Sequence, residues 1–329
     1  FFIHKFMKLT GQKYLFTWLR EAYGEWLSVI FKALFIIYAF ALFATTQQET
    51  VMWTHTSYLP RTPHMVLSLA LMLLCYRAAY HGVRTVAITT GILLPIVVFL
   101  GDFVMSANMP QKNYSLLLPI MEHGWLPSVK GSLVLLGGLS ELIFILVIQH
   151  TFKKQLKLWY LWLLGLFLII LVIGPTVGAI AEFGPAEAAR LRYPAYEEWR
   201  LVVIGRYIRH LDFFSIYQWL SGAFVRISMT MYIIAEMIVG DNSPRKRHAC
   251  LLFLLAVNVF IAALHISDEL YYTFLSQYYL PGSLMFSTSV LLILFILAVL
   301  YKRKENKANG NRSGGSQVDT ANDSGHVPQ

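Results

Sequence analysis

Apolar runs of roughly 20 residues, separated by short polar loops, recur along this chain as far as Tyr301. Each is long enough to cross a hydrocarbon core of about 30 Å at about 1.5 Å per residue. Only 14% of the residues are charged and 57% are hydrophobic, whereas soluble domains carry about 25% charged residues. That pattern excludes a soluble enzyme and predicts an all-α polytopic membrane protein. The net charge of +9 does not point to nucleic acid, because the Lys and Arg sit at the ends of apolar runs and in the last thirty residues rather than on one soluble face.

Runs bounded by charge, Pro or Gly give eight spans. They cover 26–46 (A), 63–80 (B), 83–105 (C), 127–150 (D), 158–180 (E), 213–239 (F), 249–266 (G) and 282–301 (H). Placing the first loop in the cytoplasm puts most Lys and Arg inside, which gives a cytoplasmic C-terminus. The exception is the outer loop between E and F, with Arg190, Arg192, Arg200, Arg206 and Arg209 nearly balanced by Glu182, Glu187, Glu197, Glu198 and Asp212. A loop of that kind suits partner contact. Residues 1–301 form the membrane domain, and 302–329, polar and rich in Gly, Ser and Asn, are expected to be a disordered cytoplasmic tail. The start at Phe1-Phe2-Ile3 reads as the end of an apolar helix, so at least one upstream span is expected to be missing. Cys75 and Cys250 have no metal-ligand spacing and read as free thiols.

Polar groups in mid-span are functional candidates because the bilayer makes them costly. Lys32, Glu141, Arg226 and Glu236 qualify; Lys32 and Glu236 are close enough to the inner face to snorkel, and Arg226 has Glu141 as a conceivable partner. Span D carries Gly137-Gly138-Leu139-Ser140-Glu141 at its middle. Paired glycines beside Ser and Glu permit local unwinding, whose freed backbone groups could bind a small zwitterion or ion. The alternative is that the glycines only allow close helix packing and Glu141 is structural. In span F, Ser228 and Tyr232 share one helix face and offer either a ligand-facing hydroxyl pair or ordinary interhelical hydrogen bonds. The stretch YEEWRLVVIGRYIRHLDFF before F suits a helix lying in the interface. Pro95 and Gly174-Pro175 read as kinks. His265 and Asp268 lack any nucleophile, metal spacing or phosphate loop beside them, so no catalytic residue, metal or cofactor is expected.

The stretch FGPAEAARLRYPAYEEWRLVVIGRYIRHLDFFSIYQWLSGAFVRISMTMYIIAEM over 183–237 resembles the signature region of the endospore germination permease family. YGEWLSVIFKALFIIYAF, LPRTPHMVLSLALMLL and LLLPIMEHGWLPSVKGS support the resemblance in the same order, and it extends to about Lys304. That family comprises the B-type subunits of nutrient germinant receptors, within the amino acid, polyamine and organocation transporter superfamily. The resemblance implies ten spans in a five-plus-five inverted repeat, so A to H would be the third to tenth. It also implies that D is the second discontinuous helix, although Ser140 stands where many relatives have glycine. The ligand site would then draw on Gly137, Gly138, Ser140 and Glu141 of D, Ser228 and Tyr232 of F, and Phe35 and Tyr38 of A.

Two functions follow from the resemblance. A receptor subunit in the spore inner membrane would bind an amino acid such as L-alanine, or another small nutrient, and signal to partner subunits. A permease would carry the amino acid across, with protons taken up at Glu141. A subunit that has lost ligand binding and only holds its partners is a third, and fold alone does not choose among them.

Overall fold

The computed structural model describes residues 1–319 except His123, Arg206, Tyr207, Asp241, Asn242 and His265, with side chains as far as Lys307. The described residues are helical, with no strand beyond a single bridge between Ile204 and Ile208. In chain order the α-helices are α1 (Phe2–Leu9), α2 (Leu15–Tyr23), α3 (Glu25–Ser57), α4 (His64–His81), α5 (Val83–Ala107), α6 (Trp125–Gly138) and α7 (Ile145–Ile148). They continue as α8 (Leu158–Phe183), α9 (Pro185–Ala188), α10 (Pro194–Leu201), α11 (Phe213–Val239), α12 (Pro244–Ala263), α13 (Asp268–Phe274) and α14 (Leu280–Asp319).

Seven of these stretches are long and apolar enough to cross a membrane, so the chain is an integral membrane protein. Span B, expected as an eighth, forms α4, but its two terminal histidines and Arg77 dilute an 18-residue helix and it is not among the seven. The apolar surface has the same explanation: Trp159, Trp162, Leu166, Ile170 and Ile173 of α8 are all exposed, as on a helix whose outer face meets lipid rather than protein. Two further expectations shift. Backbone helix continues past Tyr301, with Lys302 paired to Glu305 at 2.8 Å. The interface helix before α11 is confined to α10, after which Gly205 turns the chain at φ +63° and Ile204 and Ile208 bond across the turn. Trp199 and Val202, which look lipid-directed in the sequence, instead pack into the protein beside Leu100 and Val104.

The chain divides into two compact units. The first comprises 1–31, 137–161 and the chain from 282 onward. Its interior is built on Phe6, Leu15 and Leu19, all at 0% exposure, with Phe6 edge-on to Trp18 at 5.3 Å. Polar side chains tie its segments together: Gln149 donates to the Lys13 carbonyl at 2.8 Å, and Tyr23 to that of Leu297 within α14 at 2.7 Å. The second unit comprises 32–136 and 162–281. Here α4 packs on α11 and α12, and α11 on α5, around Met72, Cys75, Ile227, Met231 and Ile234. Gln47 donates to Ser68 at 2.6 Å, joining α3 to α4 with a fully buried hydrogen bond. Neither Cys75 nor Cys250 is in a disulfide.

Candidate functional site

Span D does change character at its glycines. The α-helical hydrogen-bonding of α6 ends at Gly138, and residues Leu139–Phe144 continue as a 3-10 helix before α7. The chain does not open into extended backbone, since Gly138 keeps helical angles of φ −65° and ψ −31°. The span tightens rather than unwinds, and a 3-10 stretch inside a long helix often marks a hinge or a strained sequence. Part of the reason is visible: Ser283 of α14 donates to the Gly137 carbonyl at 3.1 Å, which satisfies an acceptor that the altered hydrogen-bond pattern would leave in need of a partner. Gly138, by contrast, faces open space, with no atom within 4 Å of where a Cβ would stand. Ser140 is buried and Glu141 half-buried just beyond it.

Gly137, Gly138, Ser140 and Glu141 belong to the first unit, and Phe35, Tyr38, Ser228 and Tyr232 to the second. Within the second unit, Phe35 and Tyr38 lie in the interior at 0% and 7% exposure. Tyr232 lies in the C-terminal half of α11, with the Arg247 guanidinium 4.8 Å from its ring centre and Gly82 of the α4–α5 turn beside its edge. Arg247 also approaches Glu236 at 3.8 Å, so the carboxylate expected to snorkel has a cation beside it. Ser228 is completely buried. The neighbouring Cys75 thiol is directed to the Phe224 carbonyl at 3.8 Å and also interacts with the Ser228 hydroxyl, which makes no hydrogen bond of good geometry among the described residues.

A cavity of about 620 Å³ lies elsewhere in the second unit, lined by residues that include Thr50, Thr54, Leu71, Tyr217, Ser221 and Phe224. None of the expected site residues lines it, and no charged side chain does. It therefore lacks the groups that would recognise the two charges of a zwitterion. The possible acid/base partners fare differently from one another. His265 lies outside the described residues, and Asp268 stands in the first turn of α13 beneath a Ser267 cap.

The polar group that the sequence did not bring together sits where the segment after α5 meets the C-terminal end of α8 and α10. After α5 the chain passes beside the end of α8, where Asn113 N donates to the Ala181 carbonyl at 2.8 Å. This buries Lys112 and Glu182 together, both side chains at 0% exposure and 3.6 Å apart. Lys112 also donates to the Met105 carbonyl at 2.9 Å. Asn108 donates to Glu182 at 3.3 Å and to the Glu198 carbonyl at 2.7 Å. Glu198, read in the sequence as a surface charge of the outer loop, is 1% exposed. Burial first, and then the Glu182 carboxylate, push its carboxyl up to about 8, with Lys112 opposing. Gly178 of α8 makes room for it: a Cβ there would stand 2.7 Å from Glu198 Oε2 and 3.0 Å from Met105 Sδ. Gly178→Ala is expected to destabilise the protein by about 1–3 kcal/mol through overpacking, measurable by thermal unfolding in nanodiscs; an unchanged transition would show that the carboxyl can move aside. No sequence signal joins positions separated by 70–90 residues, beyond the oddity of charge beside apolar spans.

Arg192, in the same segment between α8 and α11, is similarly tied down. Arg192 pairs with Glu49 at 3.2 Å and lies over the rings of Tyr193 and Tyr272 at 5.3 and 5.0 Å. Burial, then the charge of Glu49, push the Tyr193 phenol up to about 12. Of the loop's charges, the Arg200–Glu197 pair at 2.8 Å is largely solvated. Arg206 lies outside the described residues.

The family model described as "Spore germination protein" (Spore_permease) matches residues 1–269. The chain is 43% identical over 306 residues to Spore germination protein XB of Bacillus anthracis, covering 92% of this chain and 85% of that protein. It is 25% identical over 181 residues to the Putative spore germination protein YfkT of Bacillus subtilis strain 168, covering 54% of this chain and 49% of that one. No solved structure matches it significantly. A helical membrane protein carrying that match over most of its length belongs to the spore germination permease family.

Proposed function

We propose that this protein is a germinant receptor subunit of the spore inner membrane. In this reading it binds a small nutrient, an amino acid such as L-alanine, within the membrane and passes the signal to partner subunits, with no catalytic step. The observation that carries the proposal is the family match across residues 1–269, joined by 43% identity to a protein named for spore germination. Each unit, taken by itself, has a feature that suits a ligand: in the first, Gly138 faces open space where α6 gives way to the 3-10 turn, and in the second, the buried Ser228 hydroxyl has only the Cys75 thiol beside it. A thiol is a weak hydrogen-bond partner, and a ligand carboxylate or amine could supply a stronger one.

The deciding experiment measures amino-acid counterflow in proteoliposomes holding the complete subunit, beside equilibrium binding of the same labelled amino acids. Saturable binding without flux supports the receptor, whereas flux makes the protein a working permease. At the residue level, Ser228→Ala is expected to leave thermal stability nearly unchanged, because the hydroxyl's neighbour is the Cys75 thiol, a weak hydrogen-bond partner. It should nevertheless raise the half-maximal germinant concentration about tenfold, the loss of one hydrogen bond of about 1.4 kcal/mol. Gly138→Leu, with nothing nearby to strike, should do the same. Unchanged dose responses in both variants would remove these two positions from the site.

A further inference from the structure

Lys112, Glu182, Glu198 and Asn108 make a buried cluster with an imbalance that the protein alone does not resolve. Two carboxylates against one ammonium would leave a net negative charge in a site with no exposure at Lys112 and Glu182 and 1% at Glu198. A buried charge of that kind is removed by taking up a proton. The hydrogen bonding points the same way. Glu198 Oε1 and Asn108 Oδ1 are buried acceptors without a hydrogen bond and Glu182 Oε1 has only the Lys112 ammonium at 3.6 Å, while the donors at hand are already directed elsewhere: Lys112 Nζ to the Met105 carbonyl and Sδ, and Asn108 Nδ2 to Glu182 Oε2 and the Glu198 carbonyl. A proton on a carboxyl converts an acceptor into a donor in a cluster with too few donors.

We propose that Lys112, Glu182 and Glu198 form a proton-binding site where the segment after α5 meets α8 and α10, with the proton held on Glu198 at neutral pH and released in alkali. Gly178 provides the space in which the protonated carboxyl lies. The charged groups facing Glu198 are Lys112, from the segment after α5, and Glu182 from α8. From α11, Gln218 accepts from the indole of the adjacent Trp199 at 2.7 Å, and Tyr217 and Phe214 pack on the apolar cluster to which Trp199 belongs. Glu197, next in sequence, is turned outward to Arg200. The site is distinct from the expected ligand residues and stands whether the subunit senses or transports its nutrient.

The consequence for stability has a definite sign. The Glu198 carboxyl is raised to about 8 in the folded protein from 4.5, so the folded state holds more protons between those values. Its stabilising contribution is complete below about pH 4.5 and is lost as pH rises through about 8. The thermal transition of the full chain in nanodiscs should therefore fall by several degrees between about pH 5 and about pH 8.5, and Glu198→Gln should flatten that slope. Infrared spectra of the wild-type protein provide a test that does not depend on the variant folding. A protonated-carboxyl C=O band should be present at neutral pH and disappear with a midpoint near 8. Absence of such a band at neutral pH, or its persistence in folded Glu198→Gln, would overturn the proposal, as would parallel pH–stability profiles for the two proteins.

Discussion

Trp53→Ala is expected to be among the most damaging single substitutions in the second unit, lowering stability by about 3 kcal/mol, the lower end of the range for removing a buried aromatic side chain. Trp53 is at 0% exposure. It stacks on Trp219 of α11 with ring centres 4.8 Å apart and planes at 15°, and meets Tyr58 and Tyr196 edge-on at 5.5 and 5.9 Å. That one ring therefore holds α3 to α11 and to α10. The lower end of the range applies because apolar groups in a membrane protein exchange protein contacts for lipid rather than water, so the loss is mostly packing. Each aromatic pair adds about 0.5–1.5 kcal/mol to that packing. Trp53→Phe should cost much less, since it keeps a ring in the stack and removes an indole N–H that has no acceptor among the described residues. Thermal unfolding of both variants in nanodiscs checks the ordering; equal losses would mean that the indole's second ring carries the contact.

Trp53 illustrates what a sequence of this kind discloses and what it hides. That residue 53 is in a membrane-spanning stretch follows from apolar run length, because the bilayer fixes how many residues a helix needs to cross it. Which apolar residues turn to protein and which to lipid does not follow, because both environments accept the same side chains. The error over residues 196–214 has that cause: Trp199 and Val202 form an apolar face, and their partners, Leu100 and Val104, are a hundred positions away. The Gly137-Gly138 pair was legible as a point of altered helix because glycine's cost in a helix is local. The tightening into a 3-10 turn, with Ser283 bonded to the Gly137 carbonyl, depends on a residue from another span. The same separation hid the polar cluster: Glu182 and Glu198 read as two charges of one loop, nothing in the sequence pairs Lys112 with them, and only the folded chain puts the three side chains out of reach of water.

The largest effect at that cluster is expected from Lys112→Met, at about 3–5 kcal/mol near neutral pH, the usual cost of leaving one partner of a buried ion pair behind. Lys112 has two functions that methionine cannot perform. Its ammonium lies 3.6 Å from Glu182 Oε1 with neither side chain exposed, and it donates to the Met105 carbonyl at 2.9 Å near the end of α5, where helix carbonyls lack intrahelical partners. Methionine fills similar volume, so the loss reports charge and hydrogen bonding rather than a cavity. Two controls separate these contributions. Acid should reduce the defect, because protonating Glu182 removes the charge that Lys112 balanced. The double variant Lys112→Met with Glu182→Gln should recover much of the stability, since a buried pair replaced on both sides is often nearly neutral. The coupling energy from that double-mutant cycle, expected at about 1–3 kcal/mol for residues in one network, would be close to zero if Lys112 acted only through the Met105 carbonyl. In that case the defect would be indifferent to pH, and the two carboxyl groups would have to be neutralised by protons alone.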